Sequence, residues 1–207
     1  MSMFISLPAP LGVLSKIDLK ERRSSRAFAD SPIEPKELGT VLHAAQGVRN
    51  DDGKRLAPSA GSSYPLRIRV AAQNIVSLPP GIYLYQPAEH ALERFENNRN
   101  PFRDVAAAAF DASWLSQAPA AILISAEFER TTVPYADQPP QGRAEGHVWL
   151  EAGHAAQNIA LAAAALSLAT VFVGGFHDDL MGKAFRSGEK ERPIGTMPLG
   201  HRRSEGS

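Results

Sequence analysis

Cysteine is absent from all 207 residues. Disulfides, thiolate metal centres and cysteine nucleophiles are therefore excluded together. Neither sign of charge is in excess, with 22 basic and 22 acidic residues, so no field exists to hold nucleic acid or an anionic membrane surface. Several signatures are missing as well: Gly-x-Ser-x-Gly, His-Glu-x-x-His, the Gly-x-x-x-x-Gly-Lys-Ser phosphate loop, and Gly-x-Gly-x-x-Gly after the first strand. These absences argue against a serine hydrolase elbow, a zincin and a nucleotide held by a P-loop or Rossmann unit. The uncharged run Ile159–Phe176 is long enough to span a bilayer. Its Ala-Gly composition and terminal glycine pair favour a buried helix followed by a strand. The opening MSMFISLPAP has too short an apolar run and too early a proline for a signal peptide. A single-domain cytoplasmic protein over 1–207 is expected, with 1–15 as an extended arm.

What is present centres on 146–176. Val148–Leu168 is rich in Ala and Leu and predicts one long helix, apolar enough to be buried on every side. Thr170-Val171-Phe172-Val173 predicts a strand that stops at Gly174-Gly175, where backbone can approach something flat.

In chain order, Lys16–Arg23 predicts a short charged helix that exits through Arg22-Arg23-Ser24-Ser25-Arg26, a dense set of phosphate-style donors. A solvated basic turn, offset by Asp18, Glu21 and Asp30, accounts for the same residues. Pro35 opens a helix to about Gln46, and Asp51–Lys54 is a turn. Pro58–Pro65 is a run of small hydroxyls and glycine between prolines, suited to a ligand-facing loop. Leu66–Ala72 and Ala120–Ala126 read as strands, and Gly81–Gln86 with Ala91–Phe95 as a hairpin. Phe102–Trp114 and Asp178–Phe185 read as helices, and Pro193–Gly200 as a last strand before His201-Arg202-Arg203. Arg130–Gly146 has no period and predicts a long lid-like loop.

On the central helix His147, Glu151, His154 and Asn158 follow steps of four, three and four and share a face. Glu151-x-x-His154 is the spacing of di-iron bundles, which need two such motifs and two further glutamates on neighbouring helices; the sequence holds only this one motif. No metal is expected, and these groups are expected to satisfy one another or to cap a subunit contact.

Taken jointly, these parts resemble the flavin-dependent nitroreductase family. The carriers are Arg22–Phe28, Pro58–Pro65, Leu78–Tyr85, Glu151–Asn158 and Val173–Phe176, the last four in the form typical of the branch that oxidises azoline rings in peptides. The resemblance implies an α+β fold, with a mixed or antiparallel sheet surrounded by helices and an intertwined homodimer binding FMN between subunits. It implies cofactor contacts from Arg22, Arg23, Ser24, Arg26, Val173, Gly174, Gly175, Arg202 and Arg203, with Pro58, Ser59, Ala60, Gly61 and Ser62 reaching in from the partner. Arg22, Ser24 and the tail arginines would hold the phosphate, Arg26 the N1–C2 carbonyl edge, and the Gly174 N–H would face N5. The implied activity is ping-pong transfer from NADH or NADPH through FMN to a small nitro- or quinone-like acceptor. Two departures stand out. Pro134-Tyr135 replaces the Lys-Tyr pair of azoline oxidases, leaving Tyr135 as the catalytic candidate, and Ala112 replaces a flavin-contacting glutamine. Azoline dehydrogenation, or a flavin-binding accessory role without turnover, is the alternative implied.

Overall fold

Ten residues in the last part of the chain, β7 (Arg192–His201), form the spine of the structure. They pair with β5 (Ala120–Ala126) on one side and β6 (Leu168–Thr170) on the other. The computed structural model describes residues 4–6, 8, 19–49, 51–95 and 101–203. Beyond β5 lie β2 (Leu66–Ala72), β3 (Gly81–Gln86), β4 (Ala91–Phe95) and β1 (Phe4–Ser6), giving the order β1-β4-β3-β2-β5-β7-β6. Every ladder is antiparallel, so of the two sheet types expected the antiparallel one is found.

The two faces of the sheet follow from strand alternation. Ile68, Val70, Ile122 and Ile124 point to one side, where they pack with Leu38, Leu42, Val148, Ala155 and Ile159 of α1 (Pro35–Gln46) and α4 (Arg143–Ala165). Ala71, Ile82, Ala121 and Leu123 point to the other. There they meet Phe102 and Val105 of α2 (Pro101–Ala108) and Met181 and Phe185 of α5 (Asp178–Phe185). α1 starts where Pro35 pre-sets the helical φ, and Glu37 Oε2 accepts from the Glu34 N–H at 2.9 Å.

The structure corrects several expectations. α4 begins at Arg143 and stops at Ala165, because Leu166 and Ser167 (φ 59°) turn the chain and release Leu168 into β6. The predicted strand over 170–173 is thus displaced toward the N-terminus, and Val173 forms only an isolated bridge to Thr196. α4 is not buried all round: Leu150 is 61% exposed and Trp149 45%, the described residues leaving that face largely uncovered. The predicted helix over 102–114 is broken by Phe110 and Asp111, both left-handed at φ 54° and 56°, and resumes as a 3-10 turn at Ser113–Gln117. The lid-like stretch is shortened by α3 (Glu129–Thr132) and by the early start of α4. Of the predicted first helix, Leu19–Glu21 is one 3-10 turn and the chain is non-helical by Arg22; residues 16–18 lie outside the described residues. Most of the predicted arm over 1–15 also lies outside them, apart from β1 and Pro8.

Candidate active site

The N-terminal donor cluster is laid against the end of β6. Ser24 bridges Thr170 in parallel, and the Ser25 N–H donates to the Thr170 carbonyl at 2.9 Å. This pairing places Arg22, Arg23 and Ser24 on the wall of a cavity shared with Gly153, Gln157, Thr170, Val171 and Phe172. Thr170 is 3% exposed, and its Oγ1 has no hydrogen-bond partner. Two arginines, a serine and a threonine with an unpartnered hydroxyl on one cavity suit a polar, anionic guest, although Arg23 Nη1 already donates to the Lys20 and Arg22 carbonyls. Arg202 is drawn toward the same corner, because its Nη2 donates to the Glu21 carbonyl at 3.0 Å. Arg203 is not; its Nε donates to the Phe28 carbonyl at 3.2 Å, and it lines a separate depression with Asp30, Gln73 and Ser116.

Arg26 and Gly175 lean on opposite ends of one turn. The Arg26 guanidinium lies 5.6 Å from the Trp114 ring centroid. A Cβ at Gly175 would meet Phe110 Cε2 at 3.7 Å, an ordinary contact. The Phe110 ring packs edge-on against His177 at 4.7 Å, and the His177 N–H donates to the Ala108 carbonyl at 2.9 Å. Upstream, Phe172 turns out of the ladder and lies over Gly195, where any Cβ would overlap its ring. Gly174 and Gly175 are exposed and Val173 is half-buried.

The loop 57–65 stands apart from that cavity. Ser59 closes it from within: the Tyr64 N–H donates to Ser59 Oγ at 2.9 Å, and Ala60–Ser62 form a 3-10 turn in which Gly61 is left-handed at φ 56°. Pro58, Gly61 and Ser62 face solvent, while Ala60 is half-buried. Tyr135 rests its hydroxyl on Gly61, and its ring lies 5.9 Å from that of His147. Glu151, 2% exposed, sits beneath the loop. Burial pushes its carboxyl up to about 7, against the opposing pull of Ser59, Arg55 and Gln46. Arg55 spans the gap, with its guanidinium 4.7 Å from the Tyr64 ring centroid and Nη1 donating to Gln46 Oε1 at 2.7 Å.

The predicted polar face of α4 therefore does not act as one group. His147 goes to Tyr135, Glu151 to the loop, Asn158 Nδ2 donates to the Ala44 carbonyl at 2.9 Å, and His154 is exposed. They neither satisfy one another nor pair a carboxylate with an imidazole, because the elements packed on α4 separate them. Among the described residues no three acidic or histidine groups gather as metal ligands.

Against known proteins, the nitroreductase family model matches residues 19–201. The chain belongs to the nitroreductase family. A provisionally named nitroreductase of Methanocaldococcus jannaschii is 36% identical over 201 residues, covering 97% of this chain and 98% of its own. Among solved structures, a provisional nitroreductase from Ralstonia eutropha aligns with a TM-score of 0.73 at 26% identity, over 98% of this chain and 90% of that one. One from Anabaena variabilis aligns at 0.78 and 23% identity, over 98% of this chain but 42% of that longer one. Membership in the nitroreductase family carries an oxidoreductase assignment at the level of the family.

Within this nitroreductase-family chain, sequence reasoning missed Thr170, Phe172, Phe110 and Glu151's place beneath the loop. Thr170 and Phe172 lay in a stretch read as plain strand. Glu151 had a legible signal, a carboxylate well inside an alanine-rich helix, seven positions before the Asn158 that ties α4 to α1.

Proposed function

We propose that the chain is an FMN-dependent oxidoreductase, working as a homodimer, that passes reducing equivalents from NADH or NADPH to a small nitro- or quinone-like acceptor. The observation that carries this reading is the shared cavity of Arg22, Arg23, Ser24 and Thr170, whose hydroxyl is unpartnered, with Val171 and Phe172 just past the end of β6. Arg22, Arg23 and Ser24 hold the cofactor phosphate through charge-assisted hydrogen bonds, with Arg202 as the tail cation on that side, while Arg203, on its separate depression, takes no part. Arg26, steadied by Trp114, offers positive charge at the pyrimidine edge of the ring. Val173, Gly174 and Gly175 present backbone rather than side chains to its reactive edge.

Pro58, Ser59, Ala60, Gly61 and Ser62 serve the partner's cofactor. They do not line the cavity of their own chain, as a contribution across a two-fold axis requires. The exposed Trp149, Leu150 and Phe172 supply an apolar face for such an axis. Tyr135 reaches the acceptor side, held there by Gly61 and His147. The flavin, when bound, supplies two-electron transfer in two half-reactions, the nicotinamide leaving before the acceptor enters. The protein supplies position, charge and exclusion of water.

Purified protein incubated with FMN is expected to retain a yellow chromophore, to bleach anaerobically with NADH or NADPH, and to regain colour with a quinone. A colourless protein that ignores added FMN overturns the reading. Retained colour without bleaching by either nucleotide would favour the accessory role instead.

A further inference from the structure

The carboxyl of Glu151 is buried in a ring of neutral and cationic groups. From α1 comes Gln46, from the following segment Arg55, from the loop Ser59, and from α3 Arg130, with Tyr64 behind Ser59 and Arg55. Arg67 of β2 stands behind Arg55, and His147 lies one turn earlier on α4. Hydrogen bonding around this ring is directional. Gln46 Oε1 accepts from Arg55 and Ser59 Oγ accepts from the Tyr64 N–H, which leaves the Gln46 amide N–H and the Ser59 O–H as the donors these two residues have to spare. One oxygen, Glu151 Oε1, nevertheless ends without any partner, and so does Gln46 Nε2. An ionised carboxylate would leave charge on a buried oxygen that nothing donates to, whereas a neutral carboxyl carries a far smaller desolvation cost there.

We infer that Glu151 is the positioning residue of the 57–65 loop: its buried carboxyl, with one oxygen unpartnered, favours the closed loop while it keeps its proton and the open, hydrated loop when it loses it. The sign follows from linkage. Opening the loop admits water to the carboxyl, the hydrated carboxyl gives up its proton far more readily, and rising pH therefore favours the open form. The upward displacement by burial sets the window between about 4.5 and about 7. This inference rests on the flavin reading only for its consequence, since the same loop is the one proposed to cover the partner's FMN.

Amide exchange on the cofactor-free protein tests it directly. The protection factor of the Tyr64 amide, which Ser59 holds, is expected to fall by about 50- to 100-fold between pH 5 and pH 8 relative to amides of β5, the change that a titration displaced from about 4.5 to about 7 produces over that range. Glu151→Gln, which stays neutral, is expected to keep the low-pH protection throughout. Equal pH dependence in both proteins overturns the inference. A second measurement needs no variant: the Glu151 carboxyl, followed by carbon-13 NMR in the wild-type protein, is expected to titrate near 7, and a midpoint near 4.5 overturns it. FMN affinity is then compared between the two proteins, the variant serving as control for titration of the FMN phosphate itself. The wild type is expected to lose more affinity than the variant over the same range, by up to the roughly 50- to 100-fold change in loop opening. If neither binds FMN while Tyr64 protection still follows pH, the flavin reading fails and the anchor stands.

Discussion

The hydroxyl of Tyr135 rests on the backbone of Gly61, so closely that a Cβ at position 61 would overlap it. A residue in the stretch before α4 is thereby tied to a turn that follows α1. Gly61 is fixed twice over, once by this contact and once by its left-handed φ of 56°.

Gly61→Ala separates the two constraints. It is expected to lower unfolding free energy by about 1–3 kcal/mol, from left-handed strain together with the clash. Adding Tyr135→Ala removes the clash and leaves the strain, so the double variant should lose less than the sum of the singles. Urea denaturation of the four proteins measures the coupling; strict additivity would show that the contact carries no energy.

Arg69 and Glu191 form a bidentate ion pair, with side chains 4% and 8% exposed, and Ser125 Oγ donates to the same carboxylate at 2.7 Å. Arg69→Met leaves that carboxylate buried without its cation and is expected to cost about 3–5 kcal/mol, whereas the double change with Glu191→Leu should cost less. Burial alone would raise the Glu191 carboxyl, but Arg69 and Ser125 outweigh it and hold the group below its ordinary 4.5. Its contribution is therefore present above pH 4.5 and lost as pH falls through the lower folded value. Acid denaturation of the wild type should show this loss, and the Arg69→Met curve should lack it.

Gly195→Ala drives a methyl into the Phe172 ring. Overpacking of this kind is expected to cost about 1–3 kcal/mol, with Phe172→Ala in the same chain restoring most of it. Because Phe172 lines the cavity, the single variant is also expected to bind FMN less tightly, as read by quenching of flavin fluorescence.

Arg22→Ala tests which part of the cofactor the cavity holds. A charge-assisted hydrogen bond contributes about 1.5–3 kcal/mol, so FMN affinity should fall by about ten- to a hundredfold. Riboflavin, which lacks the phosphate, should bind wild type and variant alike. Equal losses for both ligands would remove Arg22 from the phosphate.

Elements with strong local signals were legible in the sequence. α1, α5 and the strands β2, β3, β4, β5 and β7 fall where period, proline and β-branching put them, because local preference and tertiary packing agree there. The misplacements occur where a non-glycine residue takes a left-handed φ, at Phe110, Asp111 and Ser167. No glycine, asparagine or proline announces those turns, and tertiary packing imposes them. The site divides the same way. The donor cluster at Arg22–Ser24 was visible from residue type, but its meeting with Thr170 depends on a bridge across 146 positions, from 24 to 170. The face of α4 was read as one group because its spacing is helical, yet spacing says nothing about what packs on each residue.

The turn from Phe110 to Trp114 touches Gly175 at one end and Arg26 at the other. Its residue count thus acts as a ruler between two segments that are remote in the chain. Lengthening it by one amino acid would shift the two ends relative to each other, and insertions should be less tolerated here than in the exposed turn at Asp51–Lys54.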